Sequence, residues 1–152
     1  MIKEHDHSIT IEDLIPHRGR MKLVNRIIEI DENRAVTSAV VTEQWPLFNG
    51  IEVKPLVLVE LAAQTAGLSN GLERIKLYGI NADKRGWLAG IKRCELLSGN
   101  IPCGTEIITI AENIFAFENY RQVSGKTYIH SRLAGKCILQ VVGADSAHQS
   151  NG

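Results

Sequence analysis

The stretch Leu56–Gly67, LVLVELAAQTAG, places a glutamate, Glu60, and a glutamine, Gln64, inside a run of mostly apolar and small residues. A carboxylate removed from water costs several kcal/mol unless a nearby group compensates it. On a helix, residues four apart lie on the same face, so Glu60 and Gln64 should point to one place. The pair is either a structural carboxylate with its hydrogen-bond partner, or a carboxylate that exchanges protons in an apolar cleft.

The same stretch predicts a long helix from Pro55 to about Tyr78, because this span is rich in Leu and Ala and has no internal proline. The helix is apolar on nearly every side, whereas a helix on the surface of a sheet normally shows one apolar stripe. Small residues such as Ala62, Ala66 and Gly67 would let strands approach closely. These features predict an α+β fold in which a curved antiparallel sheet encloses a central helix.

Segments with strand character surround this helix. They alternate in polarity or are rich in β-branched residues, and turn-forming residues separate them. The predicted strands are 21–30, 34–42, 86–97, 105–118, 121–130 and 133–142. The first two form a hairpin and the last three an antiparallel meander, while Thr10 should cap a short helical turn before Pro16. Exposed edges of such a sheet favour pairing into a dimer.

Length and charge limit the possible functions. The chain has 152 residues, 44% of them hydrophobic, which predicts one domain over 1–152 with an ordered core from about 10 to 142 and polar tails. Lys plus Arg and Asp plus Glu both number 17, so neither nucleic acid nor an anionic membrane is an expected partner. The sequence shows no apolar signal-peptide core and no membrane-length apolar run, so we expect a cytoplasmic protein.

We predict no metal site and no disulfide framework. Cys94, Cys103 and Cys137 are an odd number of cysteines without C-x-x-C spacing, so we expect buried thiols in a reducing compartment. His5 and His7 lie in a polar tail that lacks the surrounding groups that fix metal ligands.

Four segments together resemble one family: LIPHRGRMKLVNRI (14–27), WPLFNG (45–50), LVLVELAAQTAG (56–67) and GWLAGIKRCELLSGNIPCGTEI (86–107). Over about Ile11–Val142, the chain resembles the hotdog-fold 3-hydroxyacyl-[acyl carrier protein] dehydratases, especially their predicted dehydratase-like branch. The resemblance implies a helix wrapped by the sheet and a homodimer whose sheets join edge to edge, with larger oligomers left open. It also implies no cofactor, because the acyl substrate arrives on the phosphopantetheine of acyl carrier protein or on coenzyme A.

The resemblance also implies where the site lies. In that family, a loop histidine of one subunit and the helix glutamate of the other remove the C2 proton and assist loss of the 3-hydroxyl. Backbone N–H groups at the helix N-terminus hold the thioester carbonyl, as the helix dipole favours. Glu60 matches the family glutamate and Gln64 the glutamine one turn later. We assign substrate contacts to Asn49, Gly50, Leu56 and Gln64.

The family histidine does not carry over to this sequence. The segment LFNG is followed by Ile51, where the dehydratase pattern has histidine. His17, in the PHR element, is the first candidate to replace it as a catalytic group, and a structural role for His17 is the alternative. His130 and Glu52 are further candidates.

Three functions remain open from the sequence. The first is a 3-hydroxyacyl thioester dehydratase of fatty-acid or polyketide-type metabolism, with Glu60 as the main acid/base group. The second is an acyl-thioester hydrolase in which Glu60 activates water. The third is a non-catalytic acyl-binding protein that keeps the cleft.

Two sets of residues are candidates for the surroundings of the site. Trp45, Phe48 and Trp87 either line an acyl tunnel or belong to the core. An acidic carrier protein would require basic residues that converge at the mouth of the cleft. The available ones are Arg18, Arg20, Lys54, Arg85, Lys92 and Arg93.

Overall fold

One long helix packs on a seven-stranded antiparallel sheet in the computed structural model, which describes residues 2–3 and 9–144. In chain order the elements are β1 (Ile2–Lys3), α1 (Ile11–Leu14), a 3₁₀ turn (Gly19–Met21), β2 (Arg26–Ile30), β3 (Arg34–Val40), β4 (Glu52–Val53), α2 (Val57–Tyr78), β5 (Gly86–Leu96), β6 (Ile101–Pro102), β7 (Glu106–Phe117), β8 (Tyr120–Ile129) and β9 (Arg132–Gly143). This is the predicted α+β arrangement of a helix against a curved sheet. His5 and His7 lie outside the described residues.

The two edges of the main sheet differ in length. Its strands follow the order β1–β2–β3–β7–β8–β9–β5, and every neighbouring pair is antiparallel. β4 and β6 form a separate two-stranded ribbon. At one edge β1 has 2 residues, whereas at the other β5 has 11 residues and pairs with β9 along one side. A long edge strand presents backbone groups to which another strand can pair.

Helix α2 supplies much of the core. Its side chains Leu58, Leu61, Leu68 and Leu72 are at most 2% exposed. Burial of a leucine contributes about 1.5–3 kcal/mol, so this face holds the helix on the sheet. A Cβ atom at Gly125 of β8 would lie only 2.6 Å from the Cβ of Ala62, so glycine is what permits this close approach.

The opposite side of α2 is only half buried. A stripe of intermediate exposure runs along it at helical spacing: Glu60, Ala63, Gly67, Asn70 and Arg74. The last residues, Leu77 and Tyr78, are exposed. The prediction of a helix enclosed on every side was therefore wrong for this stripe and for the C-terminal turn, because in a single chain the sheet covers one side of α2.

Helix α1 has the predicted N-cap. The Thr10 hydroxyl accepts a hydrogen bond from the Asp13 N–H at 3.3 Å, and the Asp13 carboxylate accepts one from the Thr10 N–H at 2.9 Å. This reciprocal arrangement is a capping box and confirms the prediction. The end of α1 packs directly on α2, since a Cβ atom at Gly71 would lie 2.1 Å from the carbonyl oxygen of Leu14.

Two local predictions were wrong. The strand predicted from Met21 begins only at Arg26, because Gly19–Met21 forms a 3₁₀ turn and the N–H of Leu23 bonds to a side chain of α2 instead of a neighbouring strand. Of the three cysteines, only Cys137 is buried. Cys94 is exposed because β5 is an edge strand, and Cys103 is exposed because it follows the two-residue strand β6.

The contact between Gly71 and Leu14 makes a testable prediction. Gly71→Ala should lower the free energy of unfolding by about 1–3 kcal/mol, because the added methyl group must push α1 away from α2. Urea denaturation followed by circular dichroism measures this loss. Gly99→Ala is the matched control, since no atom lies within 4 Å of its added Cβ. Equal stability of the two variants would contradict the close packing of α1 on α2.

Candidate active site

Gln64 fixes the position of Glu60. Gln64 is fully buried, and its side-chain oxygen accepts a hydrogen bond from the N–H of Leu23 at 3.0 Å. Because a backbone N–H can only donate, this contact determines which end of the amide is the oxygen. The amide nitrogen donates to the Met21 carbonyl at 2.6 Å and to Oε1 of Glu60 at 2.9 Å. Gln64 thus holds Glu60. In a single chain it is buried and does not border the cavity, so the substrate contact assigned to it from the sequence stays a prediction.

Arg18 holds the loop that carries His17. Its guanidinium group donates to the carbonyl oxygens of Glu12 at 2.8 Å and Ile15 at 2.7 Å. It also donates to the carbonyl oxygen of His17 at 2.8 Å. The last carbonyl oxygens of a helix find no N–H donor within that helix, so they accept hydrogen bonds from groups elsewhere. The arginine of PHR therefore completes the end of α1 and, in the same step, orients the histidine before it.

The imidazole of His17 lies beside Glu60. Its Nε2 is 3.6 Å from Oε1 of Glu60, and the two side chains are 32% and 37% exposed. Nδ1 is buried and has no hydrogen-bond partner within the part of the chain that the structure describes. A proton on Nδ1 would be a buried donor without an acceptor, whereas a proton on Nε2 lies near a carboxylate. The tautomer with Nε2–H is therefore favoured.

Glu60 keeps one oxygen for a ligand. Both of the contacts described above, from Gln64 and from His17, go to Oε1. Among the described residues, none donates a hydrogen bond to Oε2. A carboxylate held at one oxygen and free at the other can accept or deliver a proton in a defined direction.

Glu60 and His17 border an elongated cavity of about 630 Å³. The half-exposed stripe of α2 forms one wall, and at a rise of about 1.5 Å per residue the distance from Glu60 to Arg74 is about 21 Å. The facing wall includes Trp87 from the start of β5 and Val142 from the end of β9. Ligand sites typically enclose about 300–1,000 Å³, so this cavity has room for a long, flexible ligand.

The end of the cavity farthest from Glu60 is charged. Arg121 and Glu73 form an ion pair at 3.3 Å, and Arg74 donates to the carbonyl oxygen of Asp83 at 2.5 Å. Arg85 contacts the Asp83 carboxylate at 2.6 Å and, through this hydrogen bond, lowers the pKa of Asp83 to about 2. Arg85 and Arg121 are therefore paired within the chain and offer little free charge to a ligand. Arg74 differs, because its buried Nη2 has no hydrogen-bond partner among the described residues.

Three of the predicted substrate contacts lie elsewhere. Asn49, Gly50 and Leu56 do not line the cavity that the described residues form in one chain. The Asn49 side chain accepts from the N–H groups of Ile51 and Glu52 at 3.0 and 2.8 Å, and so closes a turn. Gly50 supports that turn with φ 99°. Ile51 is 78% exposed, so this loop points away from its own chain's core.

The N-terminus of α2 offers one N–H group without a partner in the described part of the chain. Those of residues 57–59 donate to the carbonyl oxygens of residues 54–56 at 3.0–3.2 Å. The N–H of Leu56, the residue before α2, has no acceptor among the described residues. The role that the family resemblance implied for these donors therefore stays a prediction, with the Leu56 N–H as the donor left for a thioester carbonyl.

The aromatic candidates separate into core and cavity residues. Trp45 is buried in the core and Phe48 packs against it. Trp87 is half exposed and lines the cavity, where the Arg85 guanidinium lies 5.9 Å from its ring centre. Only Trp87 of the three is therefore placed to contact a ligand in the cavity.

The predicted basic patch does not converge within one chain. Of its six residues, Arg85 lines the cavity. Arg18 and Arg20 are occupied with backbone carbonyl groups. The lower-ranked proton carriers are also elsewhere, since His130 occupies the turn between β8 and β9 and Glu52 belongs to β4.

No metal site is formed by the residues in the described ranges, since they contain no group of three or more His, Cys, Asp or Glu side chains able to hold an ion. Within the same ranges, neither helix combines the length with the apolar character that crossing a membrane requires.

A family model described as "ApeP-like: ApeP dehydratase" matches residues 9–150. The chain belongs to this family. The 3-hydroxyacyl-[acyl-carrier-protein] dehydratase FabZ of Streptococcus sanguinis is 32% identical over 135 residues, covering 86% of this chain and 92% of the relative. FabZ of Streptococcus gordonii is 33% identical over 134 residues, covering 85% and 91%. The family predicted from the sequence is confirmed.

Solved structures confirm the hotdog fold of this chain. The dehydratase heterocomplex ApeI:P from Xenorhabdus doucetiae matches with a TM-score of 0.80 at 14% identity, covering 95% of this chain and 97% of that chain. A hypothetical thioesterase with coenzyme A from Streptococcus pneumoniae matches with a TM-score of 0.59 at 12% identity, covering 79% and 85%.

The sequence analysis identified the polar pair Glu60 and Gln64 on α2. It missed the groups that orient this pair and the other residues that line the cavity. The Leu23 N–H that orients Gln64 has no sequence signal, since any residue but proline carries the same donor. Arg18 had a signal: it follows α1, whose last carbonyl groups need donors. Arg74 had one too, because it continues the helical stripe that starts at Glu60.

Loss of the Gln64 amide should destabilise this ApeP-like dehydratase. Gln64→Leu leaves the buried N–H of Leu23 without an acceptor, so the free energy of unfolding should fall by about 1–3 kcal/mol. Urea denaturation measures the change. Gln44→Leu, at an exposed position, is the control and should stay within about 0.5 kcal/mol of the parent. A Gln64→Leu variant as stable as the control would show that the amide does not hold these elements together.

Proposed function

We propose that this chain dehydrates 3-hydroxyacyl thioesters, with Glu60 as the proton carrier. The proposal is carried by one observation: a carboxylate held at Oε1 by an oriented amide, with Oε2 free beside a long cavity. The relatives named as 3-hydroxyacyl-[acyl-carrier-protein] dehydratases supply the substrate class. We expect the acyl group to arrive on the phosphopantetheine of acyl carrier protein or on coenzyme A, in the cytoplasm, with no further cofactor.

The reaction removes a proton from C2 and the hydroxyl group from C3, and gives a 2-enoyl thioester and water. Oε2 of Glu60 accepts the C2 proton, and the protonated carboxyl group then delivers that proton to the departing hydroxyl. Atoms and charge balance with this single carrier, and the carboxylate is regenerated in each cycle. Gln64 keeps Oε1 in place throughout, so Oε2 is the oxygen that moves the proton.

His17 has a second role in this proposal. Its Nε2–H can donate to the thioester carbonyl oxygen, where negative charge develops when C2 loses its proton. A neutral imidazole acts here as a hydrogen-bond donor and transfers no proton. This role suits the favoured tautomer, and it places a donor at the cavity, which Leu56 does not border in a single chain.

We infer that two chains associate through β5. This strand is the long open edge of the sheet, and it carries the exposed apolar side chains Leu88, Ile91 and Leu96. Pairing would continue the sheet and bury these side chains. The family resemblance then brings the loop with Asn49, Gly50 and Ile51 of one chain towards Glu60 of the other, so Asn49, Gly50 and Leu56 remain our proposed substrate contacts across the dimer.

An acyl-thioester hydrolase is the second candidate function. A free Oε2 could activate a water molecule, and hydrolysis needs no loop histidine, which agrees with isoleucine at position 51. The two reactions leave different products. Hydrolysis releases a thiol, whereas dehydration changes the absorbance of the acyl group and releases none.

Glu60→Gln should abolish either reaction. The amide keeps the shape of the side chain but cannot carry the proton, so kcat should fall by about 10²–10⁴-fold. The assay follows enoyl absorbance and free thiol with 3-hydroxyacyl, 2-enoyl and saturated acyl thioesters. Glu106→Gln, at an exposed position at the start of β7, is the matched control. Full activity of Glu60→Gln would refute the catalytic proposal, and saturable binding without any product would indicate an acyl-binding protein.

The same assay tests His17. His17→Phe removes the donor and should lower kcat by about 10²–10³-fold, as expected for the loss of an oxyanion donor. His17→Asn retains an N–H donor and should lose less. If both variants lose activity equally in the folded state, donation from His17 is excluded.

Ile91→Glu should break the association of chains. A charge on the apolar part of the β5 edge disfavours pairing, so analytical ultracentrifugation should show a dimer for the parent and a monomer for this variant. Ile114→Glu, which changes a similarly exposed side chain on β7 away from the edge, should stay dimeric. A monomeric parent would contradict the homodimer. In that case we would infer that β5 pairs with a different chain, by analogy with the ApeI:P heterocomplex of Xenorhabdus doucetiae.

A further inference from the structure

Two cysteines face each other across neighbouring strands. Cys94 of β5 and Cys137 of β9 are directly opposed in the ladder that joins these strands. Both border the same small cleft beneath the first turns of α2, together with Val59 and Ala62. Their side chains therefore project from the same face of the sheet, towards the helix.

Directly opposed positions suit a disulfide. Such residues in antiparallel strands have Cα atoms about 4.5–5.5 Å apart, and disulfides span about 4.4–6.8 Å. Their Cβ atoms are about 4.5–5.5 Å apart, while a disulfide needs about 3.5–4.5 Å, so the strands must draw slightly together.

The surroundings allow that adjustment. β5 is an edge strand, and its ladder is irregular between Ile91 and Arg93, immediately before Cys94. On the other side of Cys137, its partner on β8 is Gly125, where an added Cβ would lie 3.1 Å from the Cys137 sulfur. The sulfur of Cys137 therefore lies over Gly125, on the side away from Cys94, and must rotate about the Cα–Cβ bond towards β5 before the disulfide can form.

We propose that Cys94 and Cys137 form a thiol oxidation site that a hydroperoxide converts into a cross-strand disulfide. The sulfur of Cys94 attacks the peroxide, the O–O bond breaks, and Cys94 becomes a sulfenic acid while its proton leaves in water or an alcohol. The sulfur of Cys137 then attacks the Cys94 sulfur, the S–OH bond breaks, and hydroxide leaves with the second thiol proton as water. Two thiols are oxidised and one peroxide is reduced by two electrons.

Exposure determines the order of these steps. Cys94 is exposed and meets the oxidant first, whereas Cys137 is buried and lies directly opposite. Burial raises the pKa of both thiols, that of Cys137 to about 11, so oxidation should be slow compared with that of an activated cysteine. The strain expected across directly opposed strands makes the disulfide easy to reduce, so the reaction should be reversible.

The oxidation site is separate from the proposed acid/base chemistry, because neither sulfur borders the cavity of Glu60. The disulfide would fasten the long edge strand to β9 beneath the helical turn of Val59 and Ala62. The disulfide leaves the outer backbone groups of β5 free for pairing at that edge. Because Cys94 borders the same cleft as Leu96, which the proposed pairing would bury, the peroxide reaches Cys94 in chains that have dissociated.

The test treats the reduced, folded protein with hydrogen peroxide and then alkylates it with N-ethylmaleimide. Intact-mass measurement should show loss of two hydrogens and of 2 of the 3 alkylation sites, with Cys103 still modified. A non-reducing digest should give a peptide pair linking Cys94 to Cys137, and dithiothreitol should restore all sites. Cys103→Ser should behave in the same way.

The variant Cys94→Ser, at an exposed position, shows whether the loss of two hydrogens requires Cys94 or comes from oxidation elsewhere in the chain. The variant should fold, shown by an unchanged circular dichroism spectrum, and should not lose two hydrogens. The proposal is overturned if peroxide leaves Cys94 and Cys137 open to alkylation, if Cys94 bonds to Cys103, or if the disulfide joins Cys94 residues of two chains.

Discussion

The three hydrogen bonds of the Gln64 side chain join the helix, the segment before β2 and the carboxylate of Glu60. Its oxygen accepts from Leu23, and its nitrogen donates to Met21 and Glu60. A buried polar group that loses its partner costs about 1–3 kcal/mol, so each of these contacts supports the others. Folding of the segment before β2 and orientation of Glu60 are therefore one event. This couples the stability of the fold to the geometry of the site.

Most charged groups around the site have their hydrogen-bond partners within the chain. The guanidinium group of Arg18 donates to carbonyl oxygens at and after the end of α1, so it does not form an ion pair with Glu60. The Nδ1 of His17 is buried without a hydrogen-bond partner among the described residues, and its Nε2 lies 3.6 Å from Oε1 of Glu60. At the other end of the cavity, Arg85 and Arg121 are paired within the chain, whereas the buried Nη2 of Arg74 has no hydrogen-bond partner among the described residues. Under the proposed function, a thioester lying along α2 would meet Glu60 at one end of the cavity and this guanidinium group at the other.

The sequence predicted the elements whose signals are local. Pro55, the leucines and the absence of internal proline place α2 correctly, and the Thr10 cap is as expected. The start of β2 was misplaced, because the pattern of apolar residues from Met21 cannot show that Leu23 bonds to a helix 41 residues further along the chain. The exposure of Cys94 was also missed, since a strand at the edge of a sheet and one at its centre can have the same alternation.

The sequence also predicted only those features of the candidate site that have a local signal. Helical spacing brings Glu60 and Gln64 together, and this needs no tertiary information. The approach of His17 depends on where α1 packs, and the contact between Gly71 and the Leu14 backbone determines that. Under the proposed association, Asn49 and its loop would reach a substrate only in a second chain, and no pattern within one chain can locate that contact.

The unequal edges of the main sheet limit how far chains can add to one another. Only β5, among the described strands, offers a long unpaired border, while the two-residue β1 ends the opposite side. If the β5 strands of two chains pair, their free backbone N–H and C=O groups bond to each other. A third chain then finds no unpaired edge of similar length. Growth along the hydrogen-bond direction therefore terminates after one step, which protects a β-rich protein from fibre formation.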